Sequence, residues 1–467
     1  MENLLYSSAI QIAAAIAKKE ISPVEVMQAS LERMTATEPL LNCFVTPLPD
    51  EAMAAARAAE RAVMSGEGLG PLHGVPISIK DLIAVGDVRI TFGSRSMANN
   101  VAAADAPSVE RVKAAGACIV GKTTTTEFGC KAAGDSPLSG TTRNPWNLSK
   151  TPGGSSLGAA SSVAAGVTPF ALGTDGGGSI RTPSAFTGLF GVKAQFGRVP
   201  VFPASSTPTL AHVGPLARVV RDAALLLQVV SGHDRRDPFS VSGPVPDYVA
   251  ACDDGVKGMR IAWAPTLGYA RPDPEIVSIA EKAIKMLEGL GCDVTLADDF
   301  IGDDPFDLWV SEFYAGVGTR LQSVLRGNPE TLDPAVAEVL RPALGQSLEA
   351  YYANVFRRYE FREKVRAKFE PIDLLLTLTT PVTAFDVEID VPRDLVDKNI
   401  ISWQYYTYPF NLTGQPAASI PVGFTSAGMP VGLQLVAKIN SEVDIFRCAA
   451  ALESALPWAQ VKPPFPI

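Results

Sequence analysis

The stretch Gly173-Thr174-Asp175-Gly176-Gly177-Gly178-Ser179-Ile180-Arg181 constrains this chain more than any other segment. It continues the apolar run from Pro169 to Leu172, which reads as a short buried strand. Three consecutive glycines adopt backbone angles closed to other residues and bring several N–H groups to one point. A strand ending in such a nest presents an anion site, suited either to a phosphate or to the oxyanion of acyl transfer. A phosphate-binding P-loop requires lysine after the final glycine, where this chain has Ser179. A dinucleotide fingerprint requires Gly-x-Gly-x-x-Gly between strand and helix, and the match is poor. A tight structural turn competes with both readings, and the glycines alone do not separate them.

Around this segment, short apolar runs alternate with helical patterns. Residues 1–65 read as helices: Ser22-Pro23-Val24-Glu25 is a capping box with proline at the first helical position, and a helix over 51–64 closes at Gly66. Strands are expected over 75–80, 117–121, 169–173, 372–378 and 430–436, and helices over 109–115 and 159–165. Residues 134–158 are loop-rich, 259–296 form a βαβ pattern, and 306–369 are mostly helical. The alternation predicts an α/β layered fold around one large sheet. At 467 residues the chain has the length of about three domains of ordinary size. No linker or internal repeat divides it, so one domain is expected.

The formal charge of −9 comes without a basic stripe, which argues against nucleic acid as a partner. Cys43, Cys118, Cys130, Cys252, Cys292 and Cys448 are scattered without a CxxC, so neither a zinc site nor a disulfide framework is expected. Glu2 and the Ser7-Ser8 pair do not fit a signal peptide, and no apolar run approaches a membrane span. The expectation is a cytoplasmic protein needing no metal or cofactor, with a small molecule as ligand, no membrane partner, and at most itself as a dimer partner.

Lys80 at the end of its apolar strand would ordinarily be a solvated charge, and Ser155-Ser156 an ordinary loop pair. Their combination with the glycine nest reads differently. Gly74-Val75-Pro76-Ile77-Ser78-Ile79-Lys80-Asp81, Gly121-Lys122-Thr123 and Arg143-Asn144-Pro145-Trp146-Asn147 come first, in that order. Thr151-Pro152-Gly153-Gly154-Ser155-Ser156, the 173–181 segment, Gly191-Val192-Lys193 and Asn411-Leu412-Thr413-Gly414-Gln415-Pro416-Ala417 follow. In order and spacing, from about residue 1 to 460, the chain resembles the amidase signature family.

The resemblance implies a three-layer α/β/α fold and a Ser–cis-Ser–Lys triad, carried over as Ser179, Ser155 and Lys80. Ser179 attacks the amide carbonyl, Ser155 relays the proton, and neutral Lys80 accepts it. The N–H groups of Gly176, Gly177, Gly178 and Ser179 form the oxyanion hole. The signature core spans about 71–200 and a substrate-shaping part about 236–467. The chemistry agrees, because a serine hydroxyl needs an adjacent base. His73, His212 and His233 lack a nucleophile-elbow context. A lysine serves if its pKa falls from ~10.4 towards ~7–8, about 4 kcal/mol, which burial can supply. Asp175 and Arg181 are expected to order the loop by mutual hydrogen bonds, with Ser156 and Thr174 in support.

Three departures stand out: Leu157-Gly158 replaces the usual Gly-Gly, Leu378 a common proline, and Gly176 a bulkier residue, which implies a more flexible turn. Phe128, Cys130, Trp309, Phe313, Trp403 and Tyr406 are the candidates for the substrate pocket, each against the alternative of plain core packing. A free-standing amidase, the glutaminase-type component of a tRNA-dependent amidotransferase and a catalytically silent binding protein remain the three readings.

Overall fold

Eleven strands form one mixed sheet. The computed structural model that shows this describes residue 4 and residues 6–465. In chain order the strands are β1 (Phe44–Pro47), β2 (Pro76–Lys80), β3 (Cys118–Thr123), β4 (Phe170–Asp175), β5 (Phe190–Lys193) and β6 (His212–Ala217). They continue as β7 (Arg260–Trp263), β8 (Asp293–Leu296), β9 (Leu374–Leu378), β10 (Ala417–Phe424) and β11 (Pro430–Ala437). Across the sheet they run β1-β3-β2-β4-β6-β5-β10-β11-β9-β7-β8. Helices cover the sheet, as an α/β layered fold requires.

The parallel trio β3-β2-β4 positions the chemistry. A parallel strand buried on both faces reads as a continuous apolar run, and every residue of β2 is buried. The register pairs Ile79 with Leu172, so Lys80 emerges beside the end of β4, where the glycine loop begins. In open α/β sheets this carboxyl edge is where ligands bind.

The expected βαβ over 259–296 is present, with β7 and β8 parallel around the helix Pro274–Gly289. Likewise, the helix Pro23–Leu41 starts at the expected capping box, with Ser22 Oγ accepting from Val24 N–H at 2.9 Å. The expectation of helices throughout 1–65 is corrected. Asn42 turns the chain in the left-handed region (φ 54°), and Phe44–Pro47 then pairs antiparallel with β3 as an edge strand.

Four helices, Phe306–Arg320, Gln322–Gly327, Pro334–Leu344 and Leu348–Phe369, form a roof whose first member lays Trp309 on the glycine loop while the others pack against that member. All six cysteines are buried. Among the described residues no helix is long and apolar enough to cross a membrane.

Candidate active site

Lys80 has no exposed surface and takes part in no ion pair among the described residues. Its Nζ donates to Ser155 Oγ at 2.7 Å and to Thr174 Oγ1 at 2.8 Å. Burial pushes its pKa well below the ordinary lysine value, and the more distant Asp175 charge opposes this without reversing it. The shift favours the neutral amine over the cation. The peptide bond between Gly154 and Ser155 is cis.

Ser155 lies just ahead of the helix Leu157–Ala164, and Ser179 just ahead of the helix Arg181–Thr187. Ser156 joins the two segments: its N–H donates to Ser179 O at 3.3 Å, and its Oγ donates to Thr174 O at 3.3 Å. Ser179 is 6% exposed, and its Oγ engages no partner among the described residues. Ser156 thus ties the Ser179 backbone to the turn that carries Ser155, whose hydroxyl Lys80 holds, at the carboxyl edge of the parallel strands.

The loop is fixed from beneath. Arg181 donates Nε to Asp175 Oδ2 and Nη2 to Oδ1, both at 2.9 Å, in a fully buried two-pronged pair. Burial alone would push the Asp175 carboxyl up. The charge and hydrogen bonds of Arg181, then Lys193 and Asn411, hold it well below the usual carboxylate range. Asp175 Oδ1 also accepts Gly178 N–H at 2.8 Å. The Gly178 N–H, one of the donors expected for an oxyanion, is therefore committed to the loop itself.

Compared with known sequences, residues 25–446 match the sequence profile of the family described as "Amidase". An acylamidase of Rhodococcus erythropolis is 35% identical over 469 residues, covering 99% of this chain and 98% of that protein. The chain belongs to the amidase signature family. The A-type component of a glutamyl-tRNA(Gln) amidotransferase from Acidothermus cellulolyticus is 34% identical over 490 residues, covering 97% of this chain and 95% of that protein. Among solved structures, a bacterial aryl acylamidase superposes with a TM-score of 0.93 at 30% identity, over 99% of each chain. A 6-aminohexanoate cyclic dimer hydrolase reaches 0.90 at 30% identity, over 98% of this chain and 99% of that one.

In this amidase the six candidate pocket residues divide. Trp309 and Phe313, on the roof helix, lie directly on the loop. Trp309 Nε1 donates to Gly176 O at 2.8 Å, and the two rings stack with centroids 4.3 Å apart. A Cβ on Gly176 would stand 2.7 Å from the Phe313 ring, and one on Gly177 would stand 2.9 Å from Trp309. Gly176 is thus a close-approach residue clamped by aromatics, which corrects the expectation of a looser turn. Phe128 is half-buried at φ 49° and stacks on Phe92 at 5.7 Å.

Cys130, Trp403 and Tyr406 make no hydrogen bond or ring contact with the triad among the described residues. Cys130 is wholly buried, and burial pushes its thiol up. Trp403 packs between Phe186 and Phe385, and the Tyr406 hydroxyl donates to Pro265 O. None of the three histidines reaches Lys80 or either serine. His73 Nε2 donates to Ala59 O at 2.9 Å, His212 Nδ1 to Leu210 O at 2.8 Å, and His233 contacts Ser240.

Sequence reasoning missed what grips Arg181. Its Nη1 donates to Gln434 Oε1 at 2.7 Å and to Thr407 O at 2.8 Å, and its Nη2 to Asn411 Oδ1 at 2.6 Å. A signal existed for Gln434, the lone uncharged polar side chain in the apolar strand Pro430–Ala437.

Proposed function

We propose that this amidase hydrolyses linear carboxamides through an acyl-enzyme on Ser179, with Ser155 as relay and Lys80 as base. The observation that carries the proposal is the 2.7 Å hydrogen bond from a buried, ion-pair-free Lys80 to Ser155 Oγ. Ser179 Oγ attacks the carbonyl carbon as its proton passes to Ser155 Oγ and the Ser155 proton passes to Lys80. The carbonyl oxygen gains the charge and lies against the N–H groups of Gly176, Gly177 and Ser179. As the C–N bond breaks, Lys80 returns its proton through Ser155 to the leaving nitrogen. Water then repeats the sequence on the acyl ester, releasing the carboxylic acid and restoring Ser179.

Trp309 and Phe313 over the loop support an apolar or aromatic substrate of moderate size. Likeness to an acylamidase and to an aryl acylamidase points the same way, whereas likeness to the amidotransferase component keeps a partner-dependent glutaminase as the runner-up. Hydrolysis by the purified chain alone separates them, using anilides, simple aliphatic amides, a cyclic amide and glutamine after exhaustive chelation. Turnover of anilides or aliphatic amides is the expected result. Turnover of glutamine alone, or only of the cyclic amide, would overturn the substrate assignment, and restoration by added metal would overturn the mechanism.

A further inference from the structure

A clasp on the far side of Ser155 has no part in that mechanism. Gly129 faces the catalytic turn closely enough that a Cβ on it would stand 3.3 Å from Ser155 Oγ. On either side of Gly129, Glu127 and Lys131 grip one residue of the roof, Asp333. Glu127 Oε2 accepts Asp333 N–H at 2.7 Å, and Lys131 Nζ donates to Asp333 Oδ2 at 2.8 Å. Lys131 also pairs with Asp135 and, at 3.0 Å, with Asp390. Its carbonyl accepts from Thr126 Oγ1 at 3.0 Å and lies 2.9 Å from where a Cβ on Gly154 would stand, so its backbone abuts the Ser155 turn.

The grip passes on through the roof. Asp333 caps the helix Pro334–Leu344, accepting from Ala335 N–H at 2.9 Å. That helix packs against Phe306–Arg320, the helix whose Trp309 and Phe313 cover the glycine loop. Lys131 therefore closes a ring of contacts: Ser155 turn, clasp, two roof helices, glycine loop, Ser179. Substitution by an apolar residue would leave Asp135, Asp333 and Asp390 facing one another unneutralised, and their repulsion lifts the start of the capped helix.

We infer that Lys131 is a positioning residue that sets which acyl groups this amidase accepts, by fixing the height of the roof over the Ser179 loop. The inference rests on the amidase reading given above. The test compares KM and kcat of wild type, Lys131→Arg and Lys131→Met on anilides of increasing acyl chain length. Lys131→Met is expected to raise KM for the preferred anilide about tenfold, with a smaller change in kcat, and to flatten the dependence on chain length. Lys131→Arg, which keeps the charge, is expected to stay within about threefold of wild type. A merely structural role predicts fewer active molecules, hence lower apparent kcat at unchanged KM for every anilide, and that result overturns the inference. So does Lys131→Arg behaving like Lys131→Met. Should Lys131→Met not fold, Asp390→Asn decides, since that partner is more exposed: a raised KM supports the inference and an unchanged KM overturns it. Wild type inactive on every anilide defeats the amidase reading and this inference together, whereas active wild type with unaltered KM in the variants defeats the inference alone.

Discussion

Lys80 and Lys131 flank the same serine turn, and both are nearly cut off from water, at 0% and 3% exposure. Burial depresses the pKa of each. For Lys80 nothing reverses it, because its close partners are the hydroxyls of Ser155 and Thr174. For Lys131 the three aspartates more than reverse it and hold the amine above its ordinary value. The same desolvation thus ends in a lowered pKa on one side of the turn and a raised one on the other. What decides between them is the count of carboxylates within reach, not the depth of burial.

The largest expected effect belongs to the chemistry itself. Ser179→Ala is expected to lower kcat by on the order of 10⁵-fold with an unchanged thermal unfolding midpoint, and an acyl adduct mapped to another residue would defeat the assignment. Lys80→Ala is expected to cost several orders of magnitude, on the order of 10⁴-fold in kcat, since members of one relay fail together. The sign with pH follows from the lowered pKa. Only neutral Lys80 accepts a proton, so activity rises with pH through a limb lying below the ordinary lysine range of ~10.4. That limb should vanish in Lys80→Ala and persist in Lys131→Met. A limb that moved in Lys131→Met instead would break the contrast between the two lysines.

Asp175→Asn tests the support beneath the loop. Leaving Arg181 buried without its carboxylate is expected to cost about 3–5 kcal/mol, read from the urea unfolding midpoint. Because the folded carboxyl is held below its unfolded value, the wild-type advantage is complete above about pH 4. It fades as pH falls towards the folded value. A gap that widened in acid would contradict the assignment. A smaller effect is expected from Gly176→Ala, whose methyl would press on Phe313. Overpacking of that kind costs about 1–3 kcal/mol, and the double variant with Phe313→Leu should recover most of the lost kcat/KM. His73→Ala should change kcat by less than about twofold across the same pH range, since its ring is committed to a carbonyl away from the triad.

Much of this was legible in the sequence, for particular reasons. An all-apolar strand ending on Lys80 reveals both its burial and the edge on which the lysine emerges. A glycine run ending in Ser179 reveals a loop that crowds its N–H groups. Asp175 and Arg181, six positions apart, were readable as partners because the intervening glycines oblige the chain to fold back. The share of donors between Asp175 and an oxyanion was not readable, since one side-chain rotation decides where the Gly178 N–H points. Nor were β1, β5, β6 and β10, whose sequences carry Pro, Gly or His where an apolar alternation would be sought. The Lys131 clasp was invisible because Asp333 and Asp390 reach Glu127 and Lys131 only through tertiary packing. Among the aromatics, sequence offered composition without direction, and the fold alone separates Trp309 and Phe313 from Trp403 and Tyr406.

The buried cysteines have a practical consequence. Burial raises the pKa of all six thiols, so in the folded protein almost none of the sulfur is present as reactive thiolate. A thiol-alkylating reagent should therefore spare the native enzyme while a serine-directed one does not. When the chain opens, each sulfur becomes a free label site in its own part of the molecule. Cys43 reports on the edge strand β1, Cys118 on its neighbour β3, Cys130 on the clasp, Cys252 and Cys292 on the segments flanking β7 and β8, and Cys448 on the helix Glu442–Ala455. Pulse alkylation followed by peptide mapping would thus give a regional clock of unfolding, with no engineered probe.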